Sequence, residues 1–274
     1  MRDQVNALTI NGSSIYAGGL SFLSTGWNNQ GATFAGVEQG STTNGFVVKI
    51  TDNGATPTLN WGQWLGGINT DSVTAIANNG SSIYAGGFSA QSTGWNNQTV
   101  TFQGVEQGST DNGFVVKITD NGATPTLNWG QWLGGIAKDQ VNALAINGSS
   151  IYAGGLSTQS TGWNNQTVTF TGVEQGGTQN GFVVKITDNG ATPTLKWGQW
   201  MGGTASDKVT TLTINGLSIY AGGISTLSTG WNNQSVTFQG VEQGTTQNNF
   251  VTKECDGAST SACSGSLWYD GMGF

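Results

Sequence analysis

Ser13-Ser14-Ile15-Tyr16-Ala17-Gly18-Gly19 returns at Ser81, at Ser149 and, with one change, as Leu-Ser-Ile-Tyr-Ala-Gly-Gly at Leu217, always after a step of 68 residues. The same step carries Ser-Thr-Gly-Trp-Asn-Asn, with Trp27, Trp95, Trp163 and Trp231. It also carries Gly-Val-Glu-Gln-Gly, with Glu38, Glu106, Glu174 and Glu242. Self-similarity at a fixed period is the mark of a repeat architecture. Four tandem units, residues 1–68, 69–136, 137–204 and 205–274, account for the whole 274-residue chain and leave no room for a second domain. The copies are so alike that recent duplication alone explains their shared residues. Repetition therefore does not mark function by itself.

Within a unit the apolar residues alternate with period two, the pattern of a half-buried strand. Val5 to Ile10 reads as one strand and Ser14 to Leu20 as its return, joined by the tight-turn dipeptide Asn11-Gly12. The paired Gly18-Gly19 points to a close backbone approach or a bulge. Phe46 to Ile50 is a third strand, Asp52-Asn53-Gly54 a turn, and Leu59 to Leu65 a fourth strand. Between the second and third strands, Ser24 to Asn44 holds either an extra short strand around Thr33 to Val37 or an ordered loop. No segment carries a helical stripe. The expectation is an all-β fold, a β-propeller of four tandem four-stranded blades, since radial repetition protects sheet edges from aggregation.

The run Asp-x-Val-x-Ala-Leu at Asp3, followed by the Asn-Gly-Ser-Ser-Ile-Tyr-Ala-Gly-Gly, Asn-Gly-Phe-Val-Val-Lys-Ile-Thr-Asp-Asn-Gly and Trp-Gly-Gln-Trp-Leu-Gly-Gly stretches, resembles the bacterial β-propeller repeat called SBBP. The resemblance covers the start and end of every unit, including Asp71, Asp139 and Asp207, and departs in the longer Gly-Trp-Asn-Asn-Gln to Gly-Val-Glu-Gln-Gly insertion. It implies a bacterial, often surface-associated protein and no particular reaction.

Charged residues make up only 8% of the chain, so Asn, Gln, Ser, Thr and backbone must keep it in solution. With 11 Trp, 11 Phe and 5 Tyr it nevertheless has the large apolar groups that disordered chains lack. A net charge of −7 and scattered Lys and Arg argue against nucleic acid as a partner. No apolar run reaches the roughly 18 residues of a membrane helix. No signal peptide is visible, because the repeat begins within a few residues of Met1; the alternatives are a protein that is not secreted and a fragment or mature form given a new Met, and the second is expected.

The chain has no His, which excludes Ser-His and Cys-His catalysis, and no phosphate-binding glycine loop. The repeated Glu residues sit in near-identical surroundings, which works against splitting acid and base roles between two of them. No catalytic residue, cofactor or metal is expected. The Asp52-Asn53-Gly54 turn, with copies at Asp120 and Asp188, lacks the alternating acidic ligands of a calcium loop and reads as a hairpin turn. Cys255 and Cys263 flank a short polar loop in the last unit; a local disulfide is expected, two free thiols being the alternative. Trp61 and Trp64, with their copies, fall three residues apart, on opposite faces of a strand, and suit packing between blades.

The candidate binding residues are the four polar Trp loops: Trp27, Asn28, Asn29, Gln30; Trp95, Asn96, Asn97, Gln98; Trp163, Asn164, Asn165, Gln166; and Trp231, Asn232, Asn233, Gln234. An exposed indole offers a flat apolar face and neighbouring amides offer donors and acceptors, a combination suited to sugars. Two readings stay open: sugar stacking, or a Trp folded back over its own blade. The expected function is a non-enzymatic extracellular binding module, multivalent and lectin-like. The alternative is a structural, surface-assembly or adhesin module. Partners would be glycans or a surface protein, with a homo-oligomer as a further option.

Overall fold

The computed structural model describes residues 2–22, 31–36, 38, 43–90, 95, 100–104, 106, 111–158, 163, 168, 170–172, 179–226, 238–239, 247–256 and 265–269; for residues 2, 238–239 and 265–269 it describes the backbone alone. All regular structure among the described residues is β-strand. The first sheet contains β1 (Arg2–Asn11), β2 (Ser14–Phe22), β3 (Thr33–Ala35), β4 (Thr43–Thr51) and β5 (Thr58–Leu65). The second contains β6 (Asp71–Asn79), β7 (Ser82–Ala90), β8 (Phe102–Gln103), β9 (Asp111–Asp120) and β10 (Pro125–Leu133). The third contains β11 (Asp139–Asn147), β12 (Ser150–Thr158), β13 (Phe170–Thr171), β14 (Gln179–Asp188) and β15 (Pro193–Met201). The fourth contains β16 (Asp207–Asn215), β17 (Ser218–Thr226), β18 (Phe238–Gln239), β19 (Gln247–Cys255) and the shorter β20 (Gly265–Tyr269).

Each sheet has the order first, second, fourth, fifth, third, as in β1-β2-β4-β5-β3. The long strands run antiparallel, and the short third strand joins the outer edge parallel to the fifth. The sheets are thus five-stranded rather than four-stranded. The added strand forms where a Phe can lie on a glycine: a Cβ on Gly62 would sit 2.2 Å from the Phe34 ring, and Gly130 and Gly198 relate to Phe102 and Phe170 in the same way.

The Asn-Gly turns carry the conformation that hairpin twist requires, with Gly12 at φ +59°. The Gly-Gly pair does two jobs. Opposite Gly18 and Gly19, β1 bulges between Val5 and Ala7, and a Cβ on Gly19 would lie 1.9 Å from the Gln4 carbonyl oxygen. A Cβ on Gly18 would lie 2.5 Å from Val73 of the next sheet, so this glycine sets how closely two sheets approach.

Consecutive sheets stack through their first strands, β1 on β6, β6 on β11 and β11 on β16. The core lies between sheets. Tyr16, Val47, Trp61 and Leu65 of the first sheet pack with Val73, Ile76, Ile83, Phe114 and Val116 of the second. The set recurs between the second and third, with Tyr84, Val115, Trp129 and Leu133 against Val141, Ile151 and Phe182, and in smaller form between the third and fourth. Among the described residues none packs on the first strand of the first sheet from the other side: Val5, Leu8 and Ile10 are 53, 63 and 65% exposed, whereas Val73, Val141 and Val209 are 0%. The described sheets form an open row at this end.

Gly87→Ala tests the close approach, since its Cβ would fall 1.9 Å from the Ser72 carbonyl oxygen. Overpacking commonly costs about 1–3 kcal/mol. With backbone as the obstacle, the loss is expected at or above the top of that range, measured as a drop in the urea midpoint.

Candidate functional site

The groups that the repeat supplies most regularly meet at the junctions between sheets. In the Asp-Asn-Gly turn the Asp accepts from the glycine amide two residues on, Gly122 N to Asp120 Oδ1 at 2.9 Å, a local bond that fixes the turn. The same carboxylate is also held by the preceding sheet. Lys49 Nζ lies 2.6 Å from Asp120 Oδ2, the Tyr16 hydroxyl donates to it at 2.7 Å, and Trp61 Nε1 donates to Oδ1 at 3.0 Å. Lys117, Tyr84 and Trp129 bind Asp188 in the same way, at 2.5, 2.8 and 3.0 Å. Lys185 and Tyr152 bind Asp256, at 2.6 and 2.5 Å, with Trp197 as the third donor. The Lys and Asp side chains of the first of these pairs are only 11 and 8% exposed. A pair so buried survives only when its remaining donors and acceptors are satisfied, and here phenol, indole and backbone amide do that.

Protonation follows from this arrangement. Burial alone raises a carboxyl, yet the bonds from Lys49, Tyr16, Trp61 and Gly122 outweigh it and hold Asp120 below the usual carboxylate range. Asp188 and Asp256 are lowered for the same reasons. Burial, then the neighbouring Asp120, pushes the Tyr16 phenol up to about 12, and Tyr84 and Tyr152 are raised likewise. Glu254 takes the position of Ile50, Ile118 and Ile186, and burial pushes its carboxyl up to about 7.

A second carboxylate closes each link between sheets. Asp71, fully buried, accepts from Gly67 N at 2.9 Å and from Ser89 Oγ at 2.5 Å. Gly135 N to Asp139 and Gly203 N to Asp207 repeat the first of these bonds at 2.9 and 3.0 Å. Side-chain amides tie the hairpin tips: Asn11, Asn79 and Asn147 each donate forward to the carbonyl of Gly80, Gly148 and Gly216, at 3.0, 3.1 and 3.0 Å.

Of the candidate binding residues, Trp95 and Trp163 are described. Trp27, Asn28, Asn29, Gln30, Asn96, Asn97, Gln98, Asn164, Asn165, Gln166, Trp231, Asn232, Asn233 and Gln234 lie outside the described residues. Both described indoles are 3% exposed. Trp95 packs on Phe102, Phe114 and Trp132 at 4.9, 5.0 and 5.9 Å, and its N–H donates to Ser89 Oγ at 3.3 Å. Trp163 repeats this with Phe170, Phe182, Trp200 and Ser157. These two residues fold back over their own sheets and do not offer the open aromatic face that sugar stacking needs. Trp61 and Trp64 do take opposite faces, Trp61 toward the next sheet and Trp64 against Phe34 and Phe46. Cys255 ends β19 and is not a free thiol; Cys263 lies outside the described residues.

Reading the sequence as turns and strands missed the Asp clasp. Its signal is Lys49 in the middle of Phe-Val-Val-Lys-Ile, because a cation in an apolar strand needs a buried counter-charge. Among the described residues no group of three or more His, Cys, Asp or Glu is placed to hold a metal ion, and no helix is long and apolar enough to cross a membrane. No known family model matches the chain, and no curated protein matches it.

Lys117→Met leaves Asp188 buried without its cation, and breaking such a pair typically costs about 3–5 kcal/mol. The double variant Lys117→Met/Asp188→Asn is expected to cost less than the two single variants summed, as denaturant unfolding of the full cycle will read. The pH profile follows from the shifts. The lowered Asp groups contribute fully above the unfolded carboxyl value of about 3.9, and that stability is lost as pH falls through their folded values. The tyrosines contribute fully below about 10, and Tyr16's share is lost as pH rises through about 12. Glu254 adds a loss of stability as pH rises from 4.5 to about 7. Glu254→Ile is expected to remove that middle slope and leave the urea midpoint flat between about pH 5 and 9.

Proposed function

We propose that the chain is a non-enzymatic structural module for extracellular surface assembly, its sheets arranged as β-propeller-type blades. The observation that carries this reading is where the repeated groups are spent. Lys, Tyr and Trp of each of the first three units meet the Asp of the following unit at the junctions between sheets, and the described loop indoles are buried in their own sheets. The architecture is thus invested in holding a row of sheets rigid rather than in converging on a ligand. The similarity to the SBBP-type repeat, a bacterial source and an extracellular setting belong to the same proposal. So does a Cys255–Cys263 disulfide, which suits an oxidising compartment. The exposure of Val5, Leu8 and Ile10 favours an open row of blades over a closed four-bladed ring.

Carbohydrate binding by the Gly-Trp-Asn-Asn-Gln loops is the competing reading. It ranks second because the Trp95 and Trp163 rings are covered.

A glycan-array screen of the intact protein beside Trp95→Ala and Trp163→Ala separates the two. Under the structural reading the intact protein binds no glycan, and each substitution costs about 3–5 kcal/mol, the usual result of truncating a packed Trp. A glycan signal in the intact protein that vanishes in a variant of unchanged stability would overturn it in favour of a lectin.

A further inference from the structure

We propose that the chain associates head to tail with a second copy of itself, the outer face of the first sheet in one copy seating on the outer face of the fourth sheet in the other, by the junction that joins successive sheets within the chain. The proposal gives the assembly reading a specific partner and rests on that reading for its purpose.

The two end faces carry the two halves of one junction. Inside the chain, Val73 and Val141 fill the spaces over Gly18 and Gly86, and Val209 with Leu212 fills that over Gly154. At the fourth sheet the corresponding glycine, Gly222, meets among the described residues its own sheet, and the methyl of Thr211, which stands where the other sheets have Ala7, Ala75 and Ala143, lies 2.8 Å from the Cβ position and takes up part of that space. At the first sheet the corresponding knobs, Val5 and Leu8, stand 53 and 63% exposed. Uncovered apolar side chains thus lie at one end, and at the other a glycine face narrowed by Thr211, so the polar groups carry most of the match.

The polar groups match in the same register. Lys253 and Tyr220 occupy the positions of the clasp donors Lys49 and Tyr16, and both are partly exposed, whereas Tyr16, Tyr84 and Tyr152 are at most 2% exposed. Asp52 occupies the position of Asp120, Asp188 and Asp256, and is exposed on the first sheet with its local bond from Gly54 N already made. Asn215, exposed at the last described hairpin tip, stands where Asn11, Asn79 and Asn147 donate forward, and Gly12 stands where Gly80, Gly148 and Gly216 accept. Placing Asp52 before Lys253 and Tyr220 therefore also brings the Gly12 carbonyl to Asn215, with Val5 and Leu8 facing the fourth sheet beside Thr211.

One donor is also missing. The indole donor Trp61, Trp129 or Trp197 has Gly265 as its counterpart in the fourth unit. The contact between copies lacks one bond that the internal junctions have, and it is accordingly reversible. Because it joins unlike faces, it repeats as a ring or a filament.

Sedimentation velocity of the full chain over a range from about 1 to 200 μM reads the association. Wild type is expected to grow beyond monomer mass as concentration rises. Asp52→Lys sets Lys against Lys253, and Lys253→Asp sets Asp against Asp52, so each alone is expected to associate at least tenfold more weakly. An equimolar mixture of the two variants restores the opposite-charge pair at every contact and is expected to recover association. Leu8→Arg, which removes an exposed knob without touching the turn, is expected to weaken association in wild-type background. Circular dichroism and the urea midpoint confirm that each variant keeps its fold. A wild type that stays at monomer mass throughout, or variants that associate as wild type does, would overturn the proposal. Such a result leaves the glycan-array outcome untouched, so the two readings fail separately.

Discussion

A buried carboxylate in a turn, gripped by a lysine, a tyrosine and a tryptophan from the sheet before it, is the constraint on which the rest of this molecule depends. A sheet of five strands has two faces to cover, and this chain has few charges with which to keep an uncovered one in water. Stacking covers both in the two inner sheets. Stacking through apolar side chains alone would let one sheet slide over the next, because the hydrophobic effect is non-directional. The clasp removes that freedom, since Asp120 can satisfy Lys49, Tyr16 and Trp61 together at only one offset of the two sheets. A buried ion pair adds little net stability over a well-packed apolar pair, and fixing the register is its more useful contribution here.

The glycines belong to the same solution. The bulge in the first strand of the second, third and fourth sheets turns that strand while Val73, Val141 and Val209 stay aimed at the glycines of the sheet before. Without a Cβ on Gly18, Val73 comes close enough for the lysine to reach the turn of the next sheet. The loop tryptophan completes the unit from outside. Trp95 lies across Phe102, Phe114 and Trp132 and binds Ser89, which itself binds the linker carboxylate Asp71. The surface loop is thereby connected to the junction.

The strands and turns were legible in the sequence because their causes are local. Val5 to Ile10 alternates, Asn11-Gly12 can adopt only a few turns, and the 68-residue step fixes the rest. The edge strand Thr33–Ala35 is not legible as strand rather than loop, since three residues carry no period and Thr33 pairs with Trp61, 28 residues later. Asp120 read as a turn residue, which it is. Its second role lay hidden because Tyr16 is 104 residues away in sequence. Trp95 was ambiguous for a different reason: Gly, Asn and Gln surround it in sequence, but Phe and Trp surround it in space.

The forward direction of the hairpin-tip amides has a consequence for symmetry. Asn11, Asn79 and Asn147 each give a hydrogen to the glycine carbonyl of the unit ahead, and each clasped Asp takes its inter-sheet hydrogens from the unit behind. The row therefore has polarity, like an arrow, with a donor end and an acceptor end that are chemically different. Two such arrows cannot meet nose to nose or tail to tail on these terms. An Asp52 facing another Asp52, or a Lys253 another Lys253, finds a like charge where the pattern requires an opposite one. Twofold pairing of identical end faces is disfavoured by construction, and any chain added to the row has to point the same way.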